Sequence, residues 1–222
     1  VKKLQKSLPD DLLGKRIKTS VVVDSGIATE KNLKHLRAHG YHYIVAGKRQ
    51  SRSNYYEDFC DLDSFSLIPE RDKKPPVYVH RKDDGDELKV LCYSEQRKAK
   101  EDAILSKKEE KYLAELDYIN TRLENPRSRL KTAVDVERAI GKINSKYRRA
   151  SKFYAVEFHP EEKRISWLRN DEKYDAAIEL NGCYFLRCSS KNVSEEEIWT
   201  CYSSLTKVEH AFEMMKTFLG LR

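Results

Sequence analysis

Apolar residues follow two different periods along the chain, and these periods predict strands and helices. Residues 21–23 and 43–46 are short apolar runs rich in β-branched side chains, which is typical of buried strands. Between the two runs, Leu33 and Leu36 have the spacing of an amphipathic helix that ends at Gly40. A strand, a helix and a strand joined by short links predict a βαβ unit in which the two strands are parallel.

The middle of the chain is richer in charge and predicts a different set of elements. Residues 77–81 and 87–93 predict a hairpin around the turn at Asp84 and Gly85. Further along, the pattern predicts helices at about 95–124, 133–150 and 171–179 and strands at 153–158, 164–168 and 183–187.

These elements divide the chain into an outer part and a middle part. The βαβ unit and the closing segment carry the apolar runs of a buried layer, whereas the segment after the βαβ unit is polar and interrupted by prolines. We therefore expect an α/β fold whose core comprises residues 1–47 and 181–222. A mixed α+β insertion over residues 48–180, a hairpin plus long charged helices, is expected to interrupt this core.

The closing segment predicts a single long helix. Ser194 and Glu197 have the spacing of a capping box, in which each residue satisfies a free backbone N–H group. Apolar residues then follow in alternating steps of three and four, which predicts a stripe that faces the core. The stripe consists of Ile198, Cys201, Leu205, Val208, Phe212, Met215 and Leu219.

Three polar residues of this helix, Tyr202, Glu209 and Lys216, are seven residues apart and therefore share one face. They lie beside the apolar stripe, so we expect the Glu209 carboxylate at the edge of the core, held in place and still in contact with solvent. A phenol, a carboxylate and an ammonium in this arrangement are suited to a phosphate backbone next to a metal ion. A solvated amphipathic helix shows the same spacing, and the helix alone does not separate the two interpretations.

Asp24 is the second candidate, because it directly follows the first predicted strand. Open α/β sheets bind ligands at the carboxyl ends of their parallel strands, although an aspartate there can also cap the next helix. Asp24 and Glu209 together could hold divalent cations through oxygen ligands. Two such ions about 4 Å apart can activate a water or a 3′-hydroxyl, and carboxylates more than about 10 Å apart could not bridge them. Tyr202 and Lys216 would then contact phosphates.

Charge favours a polyanionic partner. The 222 residues carry a formal net charge of +7, and 39% of them are hydrophobic, which is enough for a core. The best candidate surface for DNA consists of Lys146, Arg148, Arg149 and Lys152, with a solvated helix face as the alternative. No run is long enough to span a membrane, and five cysteines without a CxxC pair favour a reducing compartment.

The spacing in the closing helix also resembles a known family. DDE transposases of bacterial and archaeal insertion sequences, in the branch with an insertion before the catalytic glutamate, carry a signature of Tyr, two residues, Arg, three residues, Glu, six residues and Lys. Tyr202, Glu209 and Lys216 match this signature, and Leu205 replaces its Arg. The segment "VVVDSGIATEKNLKHL" is similar to the family's strand with the second catalytic Asp, and "LNGCYFLRCSS" is similar to the strand before the catalytic helix.

The resemblance implies a partial ribonuclease-H-like core and DNA strand cleavage and strand transfer at transposon ends. It implies Mg²⁺ or Mn²⁺ as cofactor, held by Asp24 and Glu209 as the catalytic residues, and a first catalytic Asp that we expect upstream of Val1. Double-stranded DNA is the implied partner, and a homodimer is expected to bind it in a synaptic complex. The implied location is the cytoplasm, at the nucleoid and away from membranes. The expected DNA-binding residues are Tyr202, Lys216, Lys207, Arg149, Arg148 and Lys146.

Two other functions stay open at this point. A basic module that binds nucleic acid without catalysis would carry the same charge, and its two carboxylates would then be accidental neighbours. A metal-dependent nuclease of the same fold that does not transpose would carry the same signature as a transposase.

Overall fold

The structure is a computed structural model that describes residues 20–23, 25–70 and 75–220. The chain divides into two compact units. Unit 1 contains the described residues up to Ser94 and those from Cys183 onward, and unit 2 comprises residues 95–182. Within the described residues the strands are β1 (Ser20–Val23), β2 (His42–Ala46), β3 (Ser66–Ile68), β4 (Val77–Asp84), β5 (Glu87–Tyr93), β6 (Tyr154–His159), β7 (Arg164–Arg169) and β8 (Cys183–Cys188).

The long helices that the structure describes lie close to the predicted helices, except at the carboxyl end of the chain. Two short 3-10 helices, Arg49–Tyr55 and Leu62–Ser64, flank the second α-helix. The α-helices are α1 (Glu30–Ala38), α2 (Tyr56–Cys60), α3 (Glu95–Glu124), α4 (Ala133–Lys146), α5 (Arg148–Ser151), α6 (Asp171–Glu179), α7 (Glu195–Ser203) and α8 (Leu205–Leu219).

Unit 1 is built on a six-stranded mixed sheet with the order β1-β2-β8-β5-β4-β3. Strands β1 and β2 are parallel, and every other neighbouring pair in this sheet is antiparallel. The predicted βαβ unit is therefore confirmed. Helix α1 packs on it through Leu33, which forms a small core with Tyr43 and Val45.

The hairpin of β4 and β5 is also confirmed, but it belongs to the sheet of unit 1. Its turn contains Gly85, whose φ of +60° favours glycine. Strand β8 pairs with β5 along the whole length of β8, from Cys188 opposite Leu88 to Cys183 opposite Tyr93. The second unit accordingly begins at residue 95, not at 48 as expected. The hairpin belongs to unit 1 because β5 pairs with β8, which is far from it in sequence.

The other face of the sheet carries the largest core of unit 1. Ile198 and Trp199 of α7 pack there on apolar side chains of the sheet. Full burial of such a side chain stabilises the fold by about 1.5–3 kcal/mol relative to exposure. The sheet residues of this core are Ile44, Ile68, Val77, Val79, Leu88, Val90, Cys92, Leu186 and Cys188.

Unit 2 has a core of its own around the long helix α3. Strands β6 and β7 form an antiparallel hairpin, and Ile165 of β7 is buried with Leu116 of α3 and Ile140 of α4. Asn120 of α3 fixes the hairpin, since its side-chain amide donates to the Ile165 carbonyl (3.0 Å) and its oxygen accepts from the Ile165 N–H (2.7 Å). Thr132 and Asp135 form a capping box at the start of α4.

The predicted single closing helix is two helices, and this part of the prediction is wrong. The break lies at Ser204, where three donors converge on the carbonyl oxygen of Thr200. They are the Ser204 N–H (3.1 Å), the Ser204 hydroxyl (2.9 Å) and the Ser203 hydroxyl (3.0 Å). Serine hydroxyls that donate to the preceding turn often bend helices, which accounts for the interruption. The predicted capping box of Ser194 and Glu197 is confirmed.

The predicted apolar stripe faces the core only in its first turn, so the prediction of a continuous core stripe is wrong. Ile198 is buried, but Cys201 is exposed. In α8 the stripe residues Val208 and Phe212 are 48% and 57% exposed, and Met215 and Leu219 are exposed as well. Within the described residues α8 has its main contacts with α7, so the sheet does not cover it.

The five cysteines are free thiols. Cys92, Cys183 and Cys188 are buried, whereas Cys60 and Cys201 are exposed. Within the part of the chain that the structure describes, no helix is long and apolar enough to cross a membrane.

Candidate active site

The segment around Asp24 begins at the carboxyl end of β1. Asp24 itself lies outside the described residues, but the turn that follows it is well defined. Asn32 donates its side-chain amide to the Ile27 carbonyl (2.7 Å), and its backbone N–H donates to the Thr29 hydroxyl (3.2 Å). Thr29 thereby caps α1. Helix α1 thus holds the turn that leads away from the strand end.

The direction of α7 follows from two hydrogen bonds at opposite ends of the neighbouring strands β2 and β8. Before the helix, Ser189 N–H donates to the Tyr43 carbonyl (3.1 Å), near the amino end of β2. Within the helix, the Trp199 indole N–H donates to the Tyr184 hydroxyl (2.9 Å), near the start of β8. Because β8 is antiparallel to β2, the start of β8 lies toward the carboxyl end of β2. Helix α7 therefore runs toward the carboxyl ends of β1 and β2.

The three polar residues of the closing segment are divided between the two helices. Tyr202 belongs to α7, is half-buried and packs against the main core of unit 1. Glu209 and Lys216 belong to α8, and both are exposed. The expected position of Glu209 at the edge of a packed core is therefore wrong for the described residues, because α8 continues beyond the sheet.

The residues present provide only part of a metal site. A carboxylate oxygen such as those of Glu209 suits a hard divalent cation. Among the described residues, however, no group of three or more His, Cys, Asp and Glu side chains is arranged to hold a metal ion. Asp24 lies outside the described residues, so the structure gives no distance between Asp24 and Glu209. Their expected pairing therefore stays a prediction.

A cluster of charged side chains lies on the face of the sheet that carries α1, with the buried Glu87 of β5 at its centre. Arg187 of β8 binds Glu87 in a bidentate pair, with distances of 2.8 Å from Nε and 2.7 Å from the second nitrogen. Arg37 of α1 donates to the same carboxylate (2.9 Å). Tyr43 and Lys89 also donate to it. Charge-assisted bonds of this kind are the stronger ones in proteins.

Protonation in this cluster follows from its hydrogen bonds. Burial raises the pKa of Glu87, but the hydrogen bonds from Arg187, Lys89 and Tyr43 outweigh it and lower the pKa to about 2. Burial and the neighbouring carboxylate raise the pKa of Tyr43 to about 12. Glu87 is therefore ionised and Tyr43 neutral near pH 7. A second link, from Arg187 to Glu30 (2.7 Å), joins the sheet to the first turn of α1.

The cluster was not predicted from the sequence, although the sequence contains a signal for it. Glu87 and Lys89 alternate with Leu88 and Val90 in a strand, and this alternation gives the strand one polar face. The partner Arg187 lies one hundred residues away along the chain, and the sequence does not pair them. The cluster attaches α1 to the sheet and thereby supports the turn that follows Asp24.

The predicted basic surface of unit 2 is partly neutralised. Lys146 donates to Glu115 (2.6 Å), and Tyr147 donates to the same oxygen (3.3 Å). The Glu115 bond raises the pKa of Lys146. Arg149 is half-buried and donates to Asn181 (3.4 Å), whereas Arg148 is exposed. In unit 1, Lys207 is exposed at the start of α8.

The fold is compatible with one known class of protein. An α/β architecture with a mixed sheet, a parallel βαβ unit and helices on both sheet faces is compatible with the ribonuclease-H-like fold of DDE transposases. The model of one family, described as the transposase DDE domain, matches residues 2–222. The chain belongs to the transposase DDE domain family. A search of curated proteins and a search of solved structures gave no match.

Membership in this family bears directly on substrate and cofactor. DNA is the substrate of transposases, and DDE transposases are generally dependent on divalent metal ions. The family match covers both units and includes the closing helices.

Proposed function

We propose that this domain cleaves DNA strands and joins them to new DNA at transposon ends, with Mg²⁺ or Mn²⁺ as cofactor. The family match over residues 2–222 carries this proposal. The course of α7 supports it, since this helix runs toward the strand ends that precede Asp24. We assign the chain to the branch with an insertion before the catalytic glutamate, and unit 2 is that insertion.

In this proposal Asp24 and Glu209 are ligands of the divalent ions. Such ions activate the attacking oxygen and stabilise the leaving oxygen in phosphoryl transfer. Tyr202, Lys207 and Lys216 contact the DNA backbone on either side of Glu209, because a phenol can donate to phosphate and ammonium groups neutralise it. Leu205 replaces the family Arg and is half-buried, so we expect no phosphate contact at that position.

The test compares two glutamates of α8. Glu209→Gln removes the proposed metal ligand, and Glu213→Gln removes the same charge from another exposed position of the same helix. A metal contributes several kcal/mol to transition-state stabilisation, and each 1.36 kcal/mol corresponds to a tenfold change in rate. We therefore expect Glu209→Gln to lower Mg²⁺-dependent nicking of labelled plasmid more than about 100-fold, with Glu213→Gln near wild type.

Each result of this comparison decides something. Asp24→Asn should reproduce the loss, because both carboxylates hold the same ions. Strand transfer is followed on the same gel as a joined product, and it separates a transposase from a nuclease that only cuts. Undiminished nicking by Glu209→Gln would remove that residue from the active site.

A homodimer in the DNA complex is the expected assembly, measured by light scattering with and without DNA.

A non-catalytic DNA-binding module is the second candidate, and the exposure of Glu209 favours it. An exposed carboxylate that no described neighbour holds in place is a weak metal ligand, since catalytic groups must be held within a fraction of an ångström. This candidate predicts DNA binding without metal-dependent cleavage in the wild-type protein. Cleavage that needs Glu209 but tolerates Glu213→Gln would exclude it.

A further inference from the structure

The connection between α3 and α4 presents a set of cations that the proposed active site does not use. Arg127, Arg129 and Lys131 are exposed and alternate with the half-buried Ser128 and Leu130. Lys163 lies close to the connection, at the tip of the β6–β7 hairpin, and lines the same cavity of about 330 Å³ as Lys131. We define these four cations, Arg127, Arg129, Lys131 and Lys163, as the connection surface.

Several other basic residues of unit 2 have carboxylate partners. Arg169 pairs with Asp171 (2.6 Å), Arg97 with Glu101 (3.2 Å), and Arg164 with Glu162 (3.5 Å). Among the described residues, no ion pair joins any member of the connection surface to a carboxylate. The surface therefore carries charge that an external anion can neutralise.

The backbone beneath the connection surface is ordered by its own side chains. The Asn125 side-chain oxygen accepts from the Arg127 N–H (2.9 Å), and the Asn125 carbonyl accepts from the Ser128 N–H (2.9 Å). The Ser128 hydroxyl accepts from the Leu130 N–H (3.2 Å). Such turns fix a chain that has no regular structure, so binding at this surface costs little backbone ordering.

Apolar contacts anchor the same segment. Leu123 and Leu130 pack against the core of unit 2, while Pro126 and Phe158 line the cavity beside the cations. The amino end of α4 is not an anion site here, because its capping box places the Asp135 carboxylate there. Anion binding thus depends on the side chains of the connection surface.

We infer that the connection surface binds the phosphate backbone of double-stranded DNA. The inference rests on the proposed function for the choice of DNA as the polyanion, and it adds a contact in unit 2 separate from Lys146, Arg148 and Arg149. Those residues lie at the far end of α4, about 20 Å away along a 14-residue helix. Backbone contacts position a protein on DNA without reading its sequence, so we expect binding here to be independent of sequence.

The test measures how DNA affinity depends on salt. In the 222-residue chain, Arg127, Arg129 and Lys131 are changed together to Gln, and the control changes Lys107, Lys108 and Lys111 to Gln. The control lysines are exposed on α3, about 20 Å along the helix from its end at Glu124. Affinity for a duplex is measured by fluorescence anisotropy without divalent ions, at several salt concentrations.

The plot of log affinity against log salt has a slope of about −0.9 for each neutralised phosphate. We expect the connection triple to reduce that slope by about 2 to 3, on duplexes of unrelated sequence alike, and the control triple to reduce it by less than about 1. Arg127→Lys with Arg129→Lys keeps the charges, and it should retain the wild-type slope. Lys163→Gln should reduce the slope by about 1.

Equal slopes for the two triples, or no duplex binding by the wild type, would overturn the inference. Competition by polyglutamate as strong as competition by DNA of equal charge would also overturn it, and would indicate an acidic protein partner. Failure of the proposed function has a different signature, because Glu209→Gln is read in the nicking assay. A domain that binds DNA through this surface but does not cut would retain the slope change.

Discussion

Glu87 illustrates how one buried charge determines local structure in this molecule. Its side chain is almost fully buried, yet it accepts from two arginines, a lysine and a tyrosine. A buried carboxylate is tolerated only when it is paired and hydrogen-bonded. The arginines come from α1 and β8, so the charge connects three elements that are distant in sequence.

Loss of this charge should therefore destabilise unit 1. Glu87→Gln keeps the shape of the side chain but removes the buried anion that Arg187, Arg37 and Lys89 share, and removal of one partner from a buried ion pair costs about 3–5 kcal/mol. We expect a fall of that size in the free energy of unfolding in urea near pH 7. Asp86→Asn, at the exposed neighbouring position, is the matched control and should change it by less than about 0.5 kcal/mol. Similar losses in both variants would contradict the role of Glu87.

The same residue predicts a pH dependence. The pKa of Glu87 is lowered from an ordinary value of 4.5 to about 2 in the folded protein, so its stabilising contribution is present above pH 4.5 and is lost as the pH falls toward 2. A shift of this size corresponds to about 3 kcal/mol. The difference in unfolding free energy between wild type and Glu87→Gln should shrink by up to that amount below pH 4.5. A difference that stays constant down to pH 2 would exclude the ionised form as the stabilising one.

At the scale of elements, α7 and α8 have similar sequence patterns and opposite environments. Ile198 of α7 is fully buried, whereas Phe212 of α8 is 57% exposed. We expect Ile198→Ala to lower the unfolding free energy of the chain by about 2–5 kcal/mol, through lost burial and a cavity. Phe212→Ala should change it by less than about 0.5 kcal/mol. A large loss from Phe212→Ala, measured by the same urea titration, would show that α8 is covered in solution.

This contrast also shows what the sequence determines and what it leaves open. The period of apolar residues predicted α3 and α6 at the bounds that the structure has. The same period in α8 indicates an apolar stripe but does not say which element covers it. The break at Ser204 depends on competition for the Thr200 carbonyl, which a periodic pattern does not contain.

The candidate site was predicted to a similar degree. The βαβ unit that leads to Asp24 was predicted because its strands are local neighbours with a short helix between them. The predicted position of Glu209 was wrong because the prediction assumed that α8 packs against the sheet. The pairing of β5 with β8 joins segments about one hundred residues apart, and such contacts are specified by the whole core rather than by a local pattern.

At the scale of the whole molecule, the connection between the two units is a simple one. Unit 2 leaves the sheet after β5 and returns at β8, and the flanking residues Tyr93 and Cys183 are direct partners across these two strands. The ends of unit 2 are therefore attached to neighbouring points of one sheet. Insertions with adjacent ends are tolerated because they need not disturb the host fold.

Unit 2 should consequently fold by itself. Its core, around Tyr112, Leu116 and Val136, consists of side chains from residues 95–182 alone, although a unit of this size is only marginally stable. We expect a fragment of these residues to unfold cooperatively in urea, followed by far-ultraviolet circular dichroism. Leu116→Ala should lower the midpoint strongly because Leu116 is fully buried, whereas Tyr118→Ala changes a 60% exposed residue and should leave it unchanged. A transition without cooperativity, or equal midpoints for the two variants, would mean that unit 2 depends on unit 1 for its stability.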